Sequence, residues 1–247
     1  MAIDFSKVKT ITIPEGSVKK ITDSNGVVLW ASETAFPYRR LEYIKFSGAE
    51  YVDTNVTLPA GTSYKRFDLA INWQDASNWG VNGFDSDTDN RFNIGVNGSG
   101  HSRYGSGSIN TWKDSDGYNI SLNTKYDLVL LASGGNTNLA VLQNGINIWT
   151  SPTKSITFNR ATGNIYIGAA LYKGAAKNFN KGLIYKAVLR VNNVSGVIFN
   201  GIPVQRKSDG VCGLYDTKNN VFRPMIGTNI TDAAAGPVID EYWNLQA

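Results

Sequence analysis

The residues that could do chemistry are few. His101 is the only histidine and Cys212 the only cysteine, so a zinc site has one ligand of each soft kind. His101 lies in a Gly- and Ser-rich stretch, and no nucleophile elbow accompanies it. It reads as a solvated loop residue. Cys212, between Val211 and Gly213-Leu214, reads as a small buried hydrophobe, and one thiol allows no internal disulfide. Glycoside hydrolysis usually needs two carboxylates across the scissile bond. The glutamates are Glu15, Glu33, Glu42, Glu50 and Glu241, which leaves none between Tyr51 and Asp240. The aspartates in that span form no compact alternating pair on an expected strand. The chain is therefore expected not to be an enzyme.

Two groups are better suited to binding. Asp85-Ser86-Asp87-Thr88-Asp89 alternates hard oxygens like the first half of a calcium loop. Asn90 and Val96 then replace the turn glycine and the bidentate glutamate of an EF-hand. Asp85, Asp87 and Asp89 are the candidate metal ligands, with calcium the only cofactor in view, and a solvated acidic turn is the alternative. Trp79, Arg91, Tyr104 and Trp112 fall in expected loops and are the candidate ligand-binding residues. Aromatic faces suit sugar rings, and arginine or amide groups bond hydroxyls. Loop aromatics also pin loops down or meet a partner subunit. Trp73 and Trp149 sit on expected strands and read as core.

The elements that must carry these residues are β-strands. Tyr126 to Ala132 is apolar, Leu139 to Leu142 follows, and Asn144-Gly145 turns the chain into Ile146-Asn147-Ile148-Trp149. Leu41 to Phe46, Tyr51 to Thr54, Arg66 to Trp73, Ile165 to Gly168 and Gly182 to Val191 supply more short strands. Between Gln74 and Tyr118 only Phe92-Asn93-Ile94-Gly95-Val96 reads as a strand, and the rest reads as surface loops. No helical period is sustained. This pattern predicts an all-β, antiparallel two-sheet jelly-roll sandwich over residues 37–247.

Residues 1–36 form a separate opening unit. Thr10-Ile11-Thr12-Ile13 alternates, and Ser17 to Thr22 leads into Asp23-Ser24-Asn25-Gly26. Val27-Val28-Leu29-Trp30 should return as a hairpin. A hairpin alone is marginal in water, so it must dock on something. Ala31 to Tyr38, with Pro37, reads as a linker.

The net charge of +4 is spread without a basic run, which argues against nucleic acid as a partner. No apolar window reaches the length of a membrane-spanning helix, and residues 1–20 contain no continuous apolar stretch of the kind a secretion leader carries. The 42% hydrophobic content is that of a folded chain.

Several segments taken in order resemble a known group. Tyr126 to Trp149 resembles the central hairpin of concanavalin A-like and laminin-G-like domains. Asn164-Ile165-Tyr166-Ile167-Gly168-Ala169, then Phe179-Asn180-Lys181-Gly182-Leu183-Ile184-Tyr185, is similar to the next two strands of that family. Val204 to Gly210, Gly213 to Thr217, Phe222 and Gly227 resemble a closing segment of phage and prophage proteins that carry this sandwich. Leu41-Glu42-Tyr43-Ile44 with Tyr51 to Thr54 resembles their start. Ile21 to Trp30 is similar to N-terminal segments of phage structural proteins. The resemblance implies a bacteriophage virion protein on the particle surface, made in the host bacterial cytoplasm. Residues 1–36 would attach it to other virion proteins, and the sandwich would bind host-surface or mucosal glycans as a homo-oligomer. It also implies a rim site where many laminin-G-like domains hold calcium. A purely architectural capsid-decoration or tail protein is the alternative, and a polysaccharide depolymerase the second.

Overall fold

The computed structural model describes residues 20–22, 28–31, 37–61, 63–75, 80–85, 90–111, 117–159 and 161–240. Among them there is no helix. The chain is all-β, as the alternation predicts.

The large sheet is built on that alternation. Phe67, Leu69, Ile71 and Trp73 of Lys65–Trp73 point inward and are fully buried, while Arg66 and Asp68 point out. Lys125–Ser133 pairs antiparallel beside it, with Leu128 opposite Leu69 and Leu130 opposite Phe67. Asn136–Gln143 adds Leu139 and Val141 to the same inner rows. Ile146–Thr150 closes that edge. On the other side come Lys181–Val191, Val197–Arg206, Cys212–Asp216 and Val221–Ile226.

The small sheet lies against this one. Its order is Ile109–Asn110, Ser102–Gly107, Arg91–Val96, Gly80–Asp85, Tyr166–Ile167 and Tyr51–Asp53. Phe92, Ile94 and Val96 complete the shared core. Among the described residues all pairings are antiparallel except Ala170–Tyr172 beside Gly80–Asp85. The two sheets are joined by one strand: Val221–Ile226 pairs with Cys212–Asp216 in the large sheet, and its last residues, Met225 and Ile226, pair with Val52 and Tyr51 in the small one.

A fork sits near the middle of the large sheet. Lys181–Val191 and Val197–Arg206 pair at one end and diverge at the other. Ile44–Ser47 pairs with the first strand at residues 181–184, and Tyr38–Leu41 with the second at residues 204–206. The opening strands of the sandwich therefore fill a gap between two of its later ones. Val238–Asp240 then covers Tyr38–Leu41.

Turn chemistry follows the hairpin rule. Asn144 and Gly145 have φ of 52° and 78° and connect Gln143 directly to its partner Ile146. Two positive φ values in a two-residue loop define a type I′ turn, whose twist matches the strands. The expected Asn-Gly hairpin is thus present.

Residues 80–110 differ from expectation. In place of one strand among loops, four strands occupy this span. Composition hid them. Asn82, Asn93, Arg103 and Ser106 are all buried. Asn82 Oδ1 accepts from Gly168 N at 2.7 Å, and Asn93 Nδ2 donates to Phe84 O at 3.0 Å. Gly83, at φ +133°, would bring a Cβ within 2.3 Å of Phe92 O, so only glycine lets these strands approach.

The opening unit is represented by Lys20–Thr22 and Val28–Ala31, which pair antiparallel with Ile21 opposite Trp30. They form a two-stranded sheet of their own, separate from the strands of the sandwich. The Asn25-Gly26 turn and the Thr10–Ile13 run lie outside the described residues.

Candidate functional site

The expected site residues do not come together. Trp79, Trp112, Asp87 and Asp89 lie outside the described residues. Asp85 and Arg91 meet each other: Arg91 Nε donates to Asp85 Oδ1 at 3.0 Å on the outer side of the small sheet. A residue expected to bind metal and one expected to bind ligand are thus partners in an ion pair. Tyr104 corrects its assignment as a loop aromatic. It is on Ser102–Gly107, points inward opposite Ile94, and is only 1% exposed. Its hydroxyl lies 3.3 Å from Ser151 Oγ, which satisfies the polar end of a core side chain. No group of three or more His, Cys, Asp or Glu is placed to hold a metal among the described residues.

His101 is half-buried in a β-bridge with Asn119, and its backbone N–H donates to Asn97 Oδ1 at 2.8 Å. Cys212 is fully buried, as expected of a small hydrophobe. Burial, and to a lesser degree Asp232, pushes its thiol up to about 12, so it is not a thiolate near neutral pH. Glu50 is a structural acceptor. It is fully buried and takes hydrogen bonds from Ser47 N at 2.7 Å, Ser47 Oγ at 2.8 Å, Asn229 N at 3.2 Å and Thr228 Oγ1 at 3.3 Å.

A different surface has the features a sugar needs. Tyr51 and Asp53 alternate with inward Val52, so both project from the outer side of the small sheet. Tyr166, directly opposite Asp53, projects with them. The Tyr51 and Tyr166 rings stack with centroids 4.7 Å apart and planes 23° apart. Phe179 packs 6.4 Å from Tyr51. Beside the rings, Asn164 Nδ2 donates to Asp53 Oδ2 at 3.1 Å, and Asp53 Oδ1 accepts from Asn55 N at 2.7 Å. All three rings are half-buried, so each keeps part of its surface open. The Tyr166 phenol is pushed above its ordinary value by burial, then by Asp53 and Tyr51, which keeps it a neutral donor.

The platform was partly visible in the sequence. Tyr51-Val52-Asp53 and Asn164-Ile165-Tyr166 each place two polar-ended side chains on one face by period two. What the sequence hides is that these two short strands are neighbours.

No family model matches the chain. No curated protein matches it. Solved structures do. A proposed carbohydrate-binding protein from Bacteroides ovatus superposes with a TM-score of 0.50 at 15% identity, over 81% of this chain and 62% of that one. The chain thus spans less than two thirds of that protein's length. A pentraxin from Limulus polyphemus aligns at 19% identity over 62% of this chain and 76% of that one, with a TM-score of 0.39. Tailspike protein 2 of an Escherichia coli O157:H7 bacteriophage aligns at 13% identity over 81% of this chain and 31% of that one, with a TM-score of 0.35. The first likeness shows a shared all-β sandwich fold and nothing finer. The other two superpose too loosely to carry an argument.

Proposed function

We propose that the chain is a non-enzymatic glycan-binding protein of a bacteriophage particle surface, with Tyr51, Tyr166 and Phe179 as its sugar platform. The observation that carries this reading is the ring stack beside Asp53 and Asn164. Flat apolar rings suit the C–H faces of a sugar, and a carboxylate and an amide at their edge suit its hydroxyls. The fold shared with a proposed carbohydrate-binding protein supports the same reading. The non-enzymatic part rests on Glu50, the one buried glutamate among the described residues, whose oxygens are already filled by hydrogen bonds. One platform would bind weakly, and a particle displaying many copies gains affinity by multivalency.

A glycan array probed with the whole protein tests the platform. Tyr166→Ala should weaken binding to the neutral glycans that the native protein retains by about tenfold, the effect of losing roughly 1.4 kcal/mol of contact. Retention of full binding by a folded Tyr166→Ala protein rejects this platform.

The phage part of the reading rests on the order of the family-like segments and on the separate N-terminal hairpin. Lys20–Thr22 and Val28–Ala31 pair with one another and, among the described residues, with no strand of the sandwich. Too small to be stable alone, this unit is an attachment element for another virion protein. Removing residues 1–36 should leave the melting temperature of the sandwich unchanged and abolish incorporation into particles. Normal incorporation of the truncated chain would sink the attachment role.

A further inference from the structure

We propose that the outer face of the large sheet is a second binding surface, fitted to a carboxylate-bearing polysaccharide. It lies on the opposite sheet from the tyrosine platform and stands or falls independently of it.

The centre of the surface is Asp68. Arg66 Nε donates to Asp68 Oδ1 at 2.8 Å, and Arg66 Nη2 lies 2.7 Å from the same oxygen. Arg190, directly across the strand pair from Arg66, forms an ion pair with the other carboxylate oxygen through Nη1. One carboxylate therefore holds two guanidiniums, and the cluster carries one net positive charge. The three side chains are 20–30% exposed, so the cluster is held in place yet open on one side. Each guanidinium presents a rigid fork of N–H donors, and Asp68 uses only some of them. Burial and the neighbouring Arg66 push the Arg190 pKa below its ordinary value. An incoming carboxylate would relieve that like-charge stress as well as accept the spare N–H groups.

The surroundings select the kind of anion. Asp127 and Lys186 flank Ala70 in the same outward row, and Lys125 stands in the next row with its Nζ 4.3 Å over the Tyr185 ring. The face is positive overall, but Asp68 and Asp127 are set into it. A phosphodiester chain, charged at every unit and poor in donors, would be repelled by both. A sugar acid presents hydroxyl donors to those carboxylates and one carboxylate per ring to the arginines. Leu131 lies directly across the strand pair from Arg66 and helps line a shallow pocket of about 70 Å³ with Ser133, Asn136, Asn138 and Thr153. The open lining of this pocket is almost wholly apolar, which suits the C–H face of a pyranose, and the arginine pair stands at its side.

Titration calorimetry of the full chain with polygalacturonate tests the proposal, with dextran and duplex DNA as neutral and phosphate-bearing controls. Polygalacturonate should bind, weaken as salt is raised, and leave dextran and DNA well behind. Arg66→Met and Arg190→Met each leave Asp68 one guanidinium, so both proteins should fold. Each should bind polygalacturonate about tenfold or more weakly, the scale of a lost bidentate contact. Tyr166→Ala should bind it as the native protein does. Absence of polygalacturonate binding, equal binding of DNA, or unchanged binding by folded Arg66→Met and Arg190→Met proteins would each overturn the proposal. Loss of binding in Tyr166→Ala alone would transfer the acidic ligand to the other sheet and overturn it equally.

Discussion

Replacing Glu50 by Gln should lower the stability of the sandwich by about 3 kcal/mol near neutral pH, because buried donors lose a charged acceptor. Oε2 accepts from Ser47 N at 2.7 Å and Ala49 N at 3.4 Å, while Oε1 accepts from Ser47 Oγ, Thr228 Oγ1 and Asn229 N. An amide turns one of these oxygens into a donor facing other donors. The carboxylate also bridges distant parts of the chain. It joins the turn before Tyr51 to the segment after Val221–Ile226, where the chain has just crossed between the sheets. Desolvation by burial pushes the Glu50 pKa up, but hydrogen bonds from Ser47, Asn229 and Ala49 outweigh it and hold the group below 4.5. A depressed folded value means that the charged form stabilises the native state. That stabilisation is complete above the unfolded value and disappears as pH falls through the folded one. Urea unfolding of both proteins should therefore show a large gap near neutral pH that narrows as the pH falls below the ordinary glutamate range. A gap below about 1 kcal/mol, or one that widens in acid, would contradict the clamp.

Gly168→Ala should cost about 3 kcal/mol or more, combining an unfavourable φ with overpacking. Gly168 ends the strand Tyr166–Ile167 at φ +91°. A Cβ there would lie 2.3 Å from Phe46 Cε1 and 2.9 Å from Glu50 O. Phe46 is in the core and Glu50 is clamped, so neither can move aside cheaply. Gly168 itself is fixed on both sides, with its N–H donating to Asn82 Oδ1 and its carbonyl accepting from Asn180 N, each at 2.7 Å. Gly174→Ala provides the contrast. Its φ is +79°, but nothing lies within 4 Å of the added carbon. It should cost only about 1 kcal/mol, the backbone part alone. Equal losses at the two positions, measured by thermal and urea unfolding, would remove the steric part of the argument.

The large sheet could be read from residue order because its strands alternate cleanly. Tyr126, Leu128 and Leu130 inward, with Asp127 and Val129 outward, leave little choice of face. Asn144-Gly145 set its register. The small sheet broke the same rule. Its strands carry Asn82, Asn93 and Arg103 in buried positions and glycine where backbones crowd, so polarity no longer marks the surface. Tyr104 misleads for that reason: flanked by Arg103 and Gly105, it looks like a loop aromatic. Tyr166 was missed for a different one. Its strand has two residues, Tyr166–Ile167, and its neighbour Tyr51–Asp53 comes far earlier in the chain. Arg66 and Arg190 likewise become partners only through pairing of remote strands. Local pattern identifies strands, but only the completed sheet shows which side chains share a face.

The fork in the large sheet has a consequence for how the protein is made. Tyr38–Leu41 is among the first parts of the sandwich to leave the ribosome, yet Arg40 pairs with Val204 and Leu41 with Val238. The early strands must wait, unpaired, until nearly all of the domain has been synthesised. The half first made lacks the strands that hold Tyr38–Leu41 and Ile44–Ser47 in the sheet. Folding is thereby concentrated into one late, non-local step, which topology makes slow. Until then Tyr38–Leu41 and Ile44–Ser47 present open edges to other nascent chains, so rapid synthesis at high concentration favours aggregation over assembly.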